Sequence, residues 1–124
     1  MQRVKIQSSD RSAVITKAVI RAGDQLGLKQ KEISDILGLS EATISRMKKG
    51  EYFLSEEKKD FEIAALSIRL VRSLDAIVGG DPKARTSWIR SHNAYLNQAP
   101  LELMKTITGL MDVINYVDFR RAQV

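Results

Sequence analysis

The side chains from Glu41 to Lys48 have the types and the spacing needed to contact DNA. Ile44 and Met47 recur at helical spacing, so a helix over this stretch would turn them inward and leave small, polar and charged residues outside. Such residues fit the major groove, which is about 12 Å wide, and can hydrogen-bond to base edges. Lysine and glutamine side chains beside them can meet phosphate. The residues predicted to contact DNA are Gln30, Ser40, Glu41, Ala42, Thr43, Ser45, Arg46 and Lys48.

The stretch from Leu28 to Gly50 predicts the scaffold for this helix, two short helices joined by a tight turn. Gly38 follows the last apolar residue of the first helix, where a left-handed backbone angle ends a helix at little steric cost. Ser40 is placed to cap the second helix through its hydroxyl. Helix-turn-helix units also occur as plain packing motifs, but the turn, the cap and the polar second helix together favour DNA binding.

The sequence shows no pattern typical of catalysis. His92 is the single histidine and stands in a polar Ser-His-Asn stretch, where a surface or capping role is more common than general-base chemistry. The acidic residues are scattered, without a pair beside an apolar wall. There is no cysteine, and Gly79-Gly80 does not open a phosphate-binding loop. We therefore predict no catalytic residue, no metal site, no cofactor and no enzyme activity.

The predicted fold is all-α, with an N-terminal helix-turn-helix lobe, a long connecting helix and a small C-terminal helical lobe. The predicted domains are residues 1–54, a connecting and dimerisation helix at 55–80, and residues 81–124. A helix from about Arg11 to Leu26 follows a polar leader, and Ser55 is expected to cap the helix Glu56 to Val78. That helix has two apolar stripes, so the C-terminal lobe should cover one, and the N-terminal lobe or another subunit the other.

The C-terminal part predicts short helices with defined starts. Asp81 caps a helix that begins at Pro82 and runs to about Ser91. A loop follows, then a helix from Leu101 to about Ile107, a bend at Gly109 and a last helix to about Arg120. Trp88 is expected in the core of this lobe rather than as an interface anchor.

The net charge of +5, from 20 Lys and Arg against 15 Asp and Glu, is modest for a DNA-binding protein. A modest charge favours a dimer or a higher assembly, with a homodimer as the expected unit, in which several lobes share one operator. No run approaches the roughly 20 apolar residues of a membrane span, and the N-terminus lacks a secretory apolar core. We expect a cytoplasmic protein with no membrane partner.

Two stretches resemble a known family. The run Leu28 to Gly50 is similar, without gaps, to the helix-turn-helix of phage-repressor-like, or Xre-type, regulators. The stretch Ala84 to Val117 resembles the toxin-binding domain of Xre/MbcA/ParS-type antitoxins. The residues at matching places are Gln30, Ser34, Gly38, Ser40, Ile44, Ser45, Arg46 and Gly50, then Trp88-Ile89, Asn93, Leu96, Pro100 to Met104, Thr106, Gly109 and Val113 to Val117.

The resemblance implies an antitoxin of a type II toxin–antitoxin system. Such a protein binds a RES-domain toxin that consumes NAD, covers its active site and represses its own operon. The implied partners are the cognate toxin, operator DNA and a second copy of the chain. The alternatives are a free-standing phage-type repressor and an interaction protein that has lost DNA binding. The residues expected to contact the toxin are Trp88, Asn97, Pro100, Leu101, Met104, Arg120, Arg121 and Val124.

The chain end gives a sharper hypothesis. The tail from Phe119 to Val124 carries two arginines and a free carboxylate, which could mimic substrate charge in a cationic or phosphate-accepting cleft of the toxin. The alternative is a frayed, solvated terminus.

Overall fold

Helices account for most of the chain in the computed structural model, which describes residues 2–123, with side chains described for residues 10–123. Within these residues there are seven helices and no strand, so the all-α prediction is confirmed. No helix in this part of the chain has the length and apolar character needed to cross a membrane. The helices are α1 Gln2–Gln25, α2 Gln30–Leu37, α3 Glu41–Lys48, α4 Lys59–Val78, α5 Pro82–Arg90, α6 Pro100–Leu103 and α7 Ile107–Arg121.

The long helix α4 is the central element, and it packs against both α1 and α7. Its first half places Phe61 and Ala64 in a core with the apolar residues of α1, α2 and α3. Its second half places Leu70 and Leu74 in a core with those of α7. The second apolar stripe is therefore covered by α1 of the same chain, which decides between the two alternatives left open by the sequence.

The two lobes share a hydrophobic core. Ala22 of α1 and Ile36 of α2 belong to the same buried cluster as Ile89 of α5, Leu101 of α6 and Met104, which follows α6. Since apolar burial is the main stabilising contribution to folding, the lobes stabilise each other directly.

Two arginines of α5 add polar links across this junction. Arg85 is buried, and its Nη1 donates to Asp75 Oδ1 at 2.7 Å while its Nε donates to the carbonyl oxygen of Gln25 at 3.2 Å. Arg90 makes a two-pronged ion pair with Glu32, at 2.7 and 2.9 Å, and also donates to the carbonyl of Gly27 at 2.8 Å. α5 is thereby fixed to the ends of α1 and α2 that face it.

The Glu32–Arg90 pair should make stability depend on pH. The Arg90 guanidinium, which donates hydrogen bonds to Glu32, holds the pKa of that carboxyl below its ordinary value of 4.5. A lowered folded-state pKa stabilises the protein above pH 4.5, and this contribution is lost as the pH falls through the folded-state value. Arg90→Met is therefore expected to lower the free energy of unfolding near neutral pH. It should also make this free energy fall less steeply as the pH is lowered. Urea unfolding from about pH 6 to about pH 3 measures this.

Arg72→Met is the matched control, because Arg72 is exposed on α4. It should leave the pH profile of the wild type unchanged. If the free energy of unfolding of Arg90→Met fell with decreasing pH as steeply as that of the wild type, the ion pair would not contribute to stability.

Some predicted helix boundaries were wrong. α1 begins at Gln2 rather than near Arg11, since the polar leader has no glycine or proline to interrupt a helix. Ser55 does not cap α4, because its carbonyl accepts from Lys58 N in a turn that delays the helix to Lys59. Gly109 is not at a bend. It lies in the first turn of α7, where a Cβ would collide with the carbonyl oxygen of Leu103.

Candidate functional site

The helix-turn-helix is built as the sequence predicts. Gly38 ends α2 with φ 71°, and its amide donates to the carbonyl of Ser34 at 2.9 Å. Ser40 caps α3 by accepting a hydrogen bond from Thr43 N at 3.1 Å. Ile44 and Met47 of α3 are buried against the apolar residues of α1 and α2, which fixes the rotation of α3 about its axis.

The outer face of α3 carries most of the residues predicted to contact DNA. Glu41, Ala42, Arg46 and Lys48 are exposed, and Ser45 is half-buried. Gln30 is half-buried and donates from Nε2 to the carbonyl of Glu41 at 3.0 Å, so it joins the first turns of the two helices. The exposed face thus combines the small side chain of Ala42 with polar and cationic side chains. This combination suits insertion into a groove of DNA.

Arg46 is held in place from two sides. Its guanidinium carbon lies 5.3 Å from the centroid of the Tyr52 ring, within cation–π range. Its Nη2 lies 3.4 Å from Thr43 Oγ1, and that hydroxyl is also 2.9 Å from Ser40 Oγ. The expectation that Thr43 lies on the open face is wrong, because the residue is buried. Its position suits a support for Arg46 better than a contact to bases.

The residues predicted to bind a toxin fall into different environments. Leu101 and Met104 have only 3% and 1% of their surface exposed, and Pro100 is also buried. Trp88 is half-buried and packs against the shared core without being fully enclosed in it. Arg120 and Arg121 are exposed on α7, and Asn97 is exposed in the preceding loop. Val124 lies outside the described residues.

The loop between α5 and α6 is closed by its own hydrogen bonds. Asn93 Oδ1 accepts from the amides of Tyr95 and Leu96 at 2.9 and 3.0 Å, and Asn93 N donates to the carbonyl of Gln98 at 3.1 Å. Asn97 adopts φ 64°, a left-handed conformation that asparagine tolerates better than most residues. The loop therefore has a defined shape, with Tyr95 at its surface.

Aromatic rings form a stack on the surface of the C-terminal lobe. Tyr95 stacks on Tyr116 with ring centroids 4.7 Å apart, and Tyr116 stacks with Trp88 at 6.3 Å. Arg120 lies over the Tyr116 ring at 5.7 Å and donates to its hydroxyl at 2.7 Å. Beside the stack is a groove that we call the aromatic groove, lined by Tyr95, Leu103, Asp112, Asn115, Tyr116 and Phe119, with Leu96 at its wall.

Comparison with protein families assigns both lobes. The sequence model of the antitoxin Xre-like helix-turn-helix domain matches residues 6–72, more than half of the chain. The sequence model of the antitoxin Xre/MbcA/ParS C-terminal toxin-binding domain matches residues 73–122. The chain belongs to the Xre/MbcA/ParS-type antitoxins. A comparison with curated proteins gave no match.

The two family matches meet inside α4, so this antitoxin uses one helix to complete both domains. Both matched families are antitoxin domains and not enzyme families. The aromatic groove lies wholly within the toxin-binding domain. The division of the chain at residues 54 and 80, and the roles of the individual site residues, stay predictions.

Sequence reasoning missed two features of the antitoxin. It gave Tyr52 no role in DNA binding, whereas the half-buried ring supports Arg46. It did not bring Tyr95 and Tyr116 together, because a loop and a helix far apart in sequence supply them. For Tyr52, the sequence did contain a usable signal. An aromatic residue two positions after Gly50, which follows α3, is close enough for its ring to pack against the last turn of that helix.

Lys48→Ala is expected to weaken binding to operator and unrelated DNA by a similar factor. Lys48 is exposed in the last turn of α3, where a cation contacts phosphate rather than bases. The slope of the logarithm of affinity against the logarithm of salt concentration should fall by about 1. Fluorescence anisotropy with operator and scrambled duplexes measures both effects. Lys83→Ala, an exposed lysine on α5, is the control, and a loss confined to the operator would contradict a phosphate contact.

Proposed function

We propose that this antitoxin neutralises a RES-domain toxin that consumes NAD and represses its own operon through α3. The observation that carries the proposal is the pair of adjacent family matches, one to a helix-turn-helix domain and one to a toxin-binding domain. The exposed polar face of α3 supports the DNA-binding role. The protein itself contributes no catalysis and acts in the cytoplasm, where the operator is found.

The RES class of the toxin rests on the resemblance of residues 84–117 to antitoxins of such toxins. In the proposed mechanism the C-terminal lobe covers the active site of the toxin, so NAD cannot enter. The tail after α7 is proposed to extend into the same cleft. Deleting Ala122 to Val124 tests this point, and unchanged neutralisation would contradict it.

We further propose that the antitoxin binds its operator as a homodimer. One α3 reads few bases, and the net charge of +5 is modest, so two copies on two half-sites would give the affinity that one lobe lacks. Light scattering of the antitoxin alone and bound to operator DNA measures the number of copies.

Copurification tests the central proposal. The tagged antitoxin, expressed from its native locus, should retain the product of the adjacent gene in stoichiometric amount, and freeing that partner should lower cellular NAD. Binding to its own promoter should be saturable and should fall as salt rises. Promoter binding without a copurifying partner would instead establish a free-standing repressor.

A further inference from the structure

The C-terminal lobe exposes two large aromatic side chains on its surface. Tyr95 has 74% of its surface exposed, and Phe119 has 56%. Both line the aromatic groove, while the buried core below it is completed by other residues such as Val113 and Ile114. Exposed large apolar side chains that border one groove indicate an interaction surface.

The groove is also preorganised. The hydrogen-bonded loop holds Tyr95 N and Leu96 N on the Asn93 side chain, and the Tyr95 ring rests on Tyr116. Tyr116 is in turn held by Trp88 and by the Arg120 guanidinium. Ordering such side chains before binding reduces the entropy lost on association, and tyrosine, tryptophan and arginine are the residues most often found at interface hot spots.

The polar groups of the groove indicate the chemistry of the partner. Among the side chains that the structure describes, none donates a hydrogen bond to the Asp112 carboxylate or to the Asn115 amide oxygen. Both groups line the groove together with the aromatic residues, so a partner that brings only apolar atoms would leave them unsatisfied. A segment with an apolar side chain next to a cationic or amide group would satisfy both parts of the groove.

We infer that the aromatic groove is the primary docking surface for the toxin, and that it receives an apolar side chain flanked by a cationic group. This inference rests on the proposed antitoxin function. The occupant is the toxin because the groove lies inside residues 73–122, the match to a toxin-binding domain. The predicted toxin contacts Pro100, Leu101 and Met104 are buried. None of the three lines the groove, so they do not form its surface.

The test measures binding of the purified product of the adjacent gene to variants of the full-length antitoxin. Tyr95→Ala and Phe119→Ala should each weaken binding by about tenfold or more. Asp112→Lys should weaken it by a similar factor, and Asp112→Asn by less, since the amide keeps an acceptor but loses the charge. Ile107→Ala is the matched control, because Ile107 is 53% exposed in the same lobe but does not line the groove. Its affinity should stay within about twofold of the wild type.

Each outcome decides a different statement. If the wild type does not bind, the proposed antitoxin function fails. If the wild type binds and the groove variants bind equally well, the docking inference is wrong while the function stands. If the variants change the mass of the antitoxin alone, the groove is covered by a second copy, and the inference is also wrong.

Operator binding and thermal unfolding report whether each variant is folded. If Tyr95→Ala loses DNA binding or melts early, Asp112→Lys decides the question. Asp112 is exposed on α7, so its replacement leaves the core intact.

Discussion

Replacing Met104 with alanine is expected to lower the free energy of unfolding of the whole chain by about 2–4 kcal/mol. Met104 is 1% exposed, and it lines a small cavity together with Val19, Ile33 and Leu37 of the helix-turn-helix lobe. Removing its side chain enlarges this cavity and removes contacts on both sides of the lobe junction. The loss should appear in a single transition, because the shared core makes the two domains unfold together.

Met104→Leu is the matched variant, since it keeps most of the volume and should cost less than about 1.5 kcal/mol. Urea unfolding followed by tryptophan fluorescence reports on Trp88 in the C-terminal lobe, and circular dichroism reports on all helices. If only the fluorescence transition moved, the lobes would be independent folding units. Toxin binding by Met104→Leu also tests the predicted direct contact, because a large loss in this folded variant would support it.

The shared junction joins the helix-turn-helix domain directly to the toxin-binding domain. α5 belongs to the toxin-binding domain, yet Arg85 and Arg90 bond to the end of α1 and the start of α2. A ligand that displaced α5 would therefore disturb the ends of α1 and α2 to which these arginines are bonded. If toxin binding displaces α5 in this way, linkage requires that operator DNA and toxin change each other's affinity by the same factor.

Local signals made part of this structure predictable. Gly38 with Ser40, and Asp81 with Pro82, define helix ends through contacts within a few residues, and the structure has all three caps, at Gly38, Ser40 and Asp81. Ser55 shows the limit of such signals. A serine before two glutamates is a good cap pattern, but the chain forms a turn there first, and Leu54 N bonds to Thr16 Oγ1 of α1. A distant contact thus overrides the local preference.

The toxin-binding lobe was harder to predict because similarity marks positions without giving their burial. Leu101 and Met104 match the family and are buried, whereas Tyr95 is exposed and lies outside the predicted toxin contacts. Short helices and a loop build this lobe, so no long periodic pattern indicates which side faces the solvent. The position of Tyr95 depends on the Asn93 hydrogen bonds and on φ 64° at Asn97, neither of which follows from hydrophobic spacing.

Replacing Arg46 with alanine should weaken operator binding by about 1–3 kcal/mol and relax the preference for one base position. Arg46 is exposed on the outer face of α3, and a guanidinium can make two hydrogen bonds to one guanine. Binding isotherms against the operator and a set of single-base variants measure both effects. Arg21→Ala, an exposed arginine on α1, is the control for loss of positive charge. Equal losses on every duplex would show that Arg46 contacts only phosphate.

The support of Arg46 can be separated from its contact with DNA. Tyr52→Leu removes the ring face that lies 5.3 Å from the guanidinium, while Tyr52→Phe keeps it. If the ring orients Arg46, Tyr52→Leu should lose about 0.5–1 kcal/mol of operator affinity, and Tyr52→Phe should resemble the wild type. The same loss should disappear when Arg46 is already alanine, because a positioning residue has nothing left to position. A loss that persists in that background would mean that Tyr52 contacts DNA itself or stabilises α3 in another way.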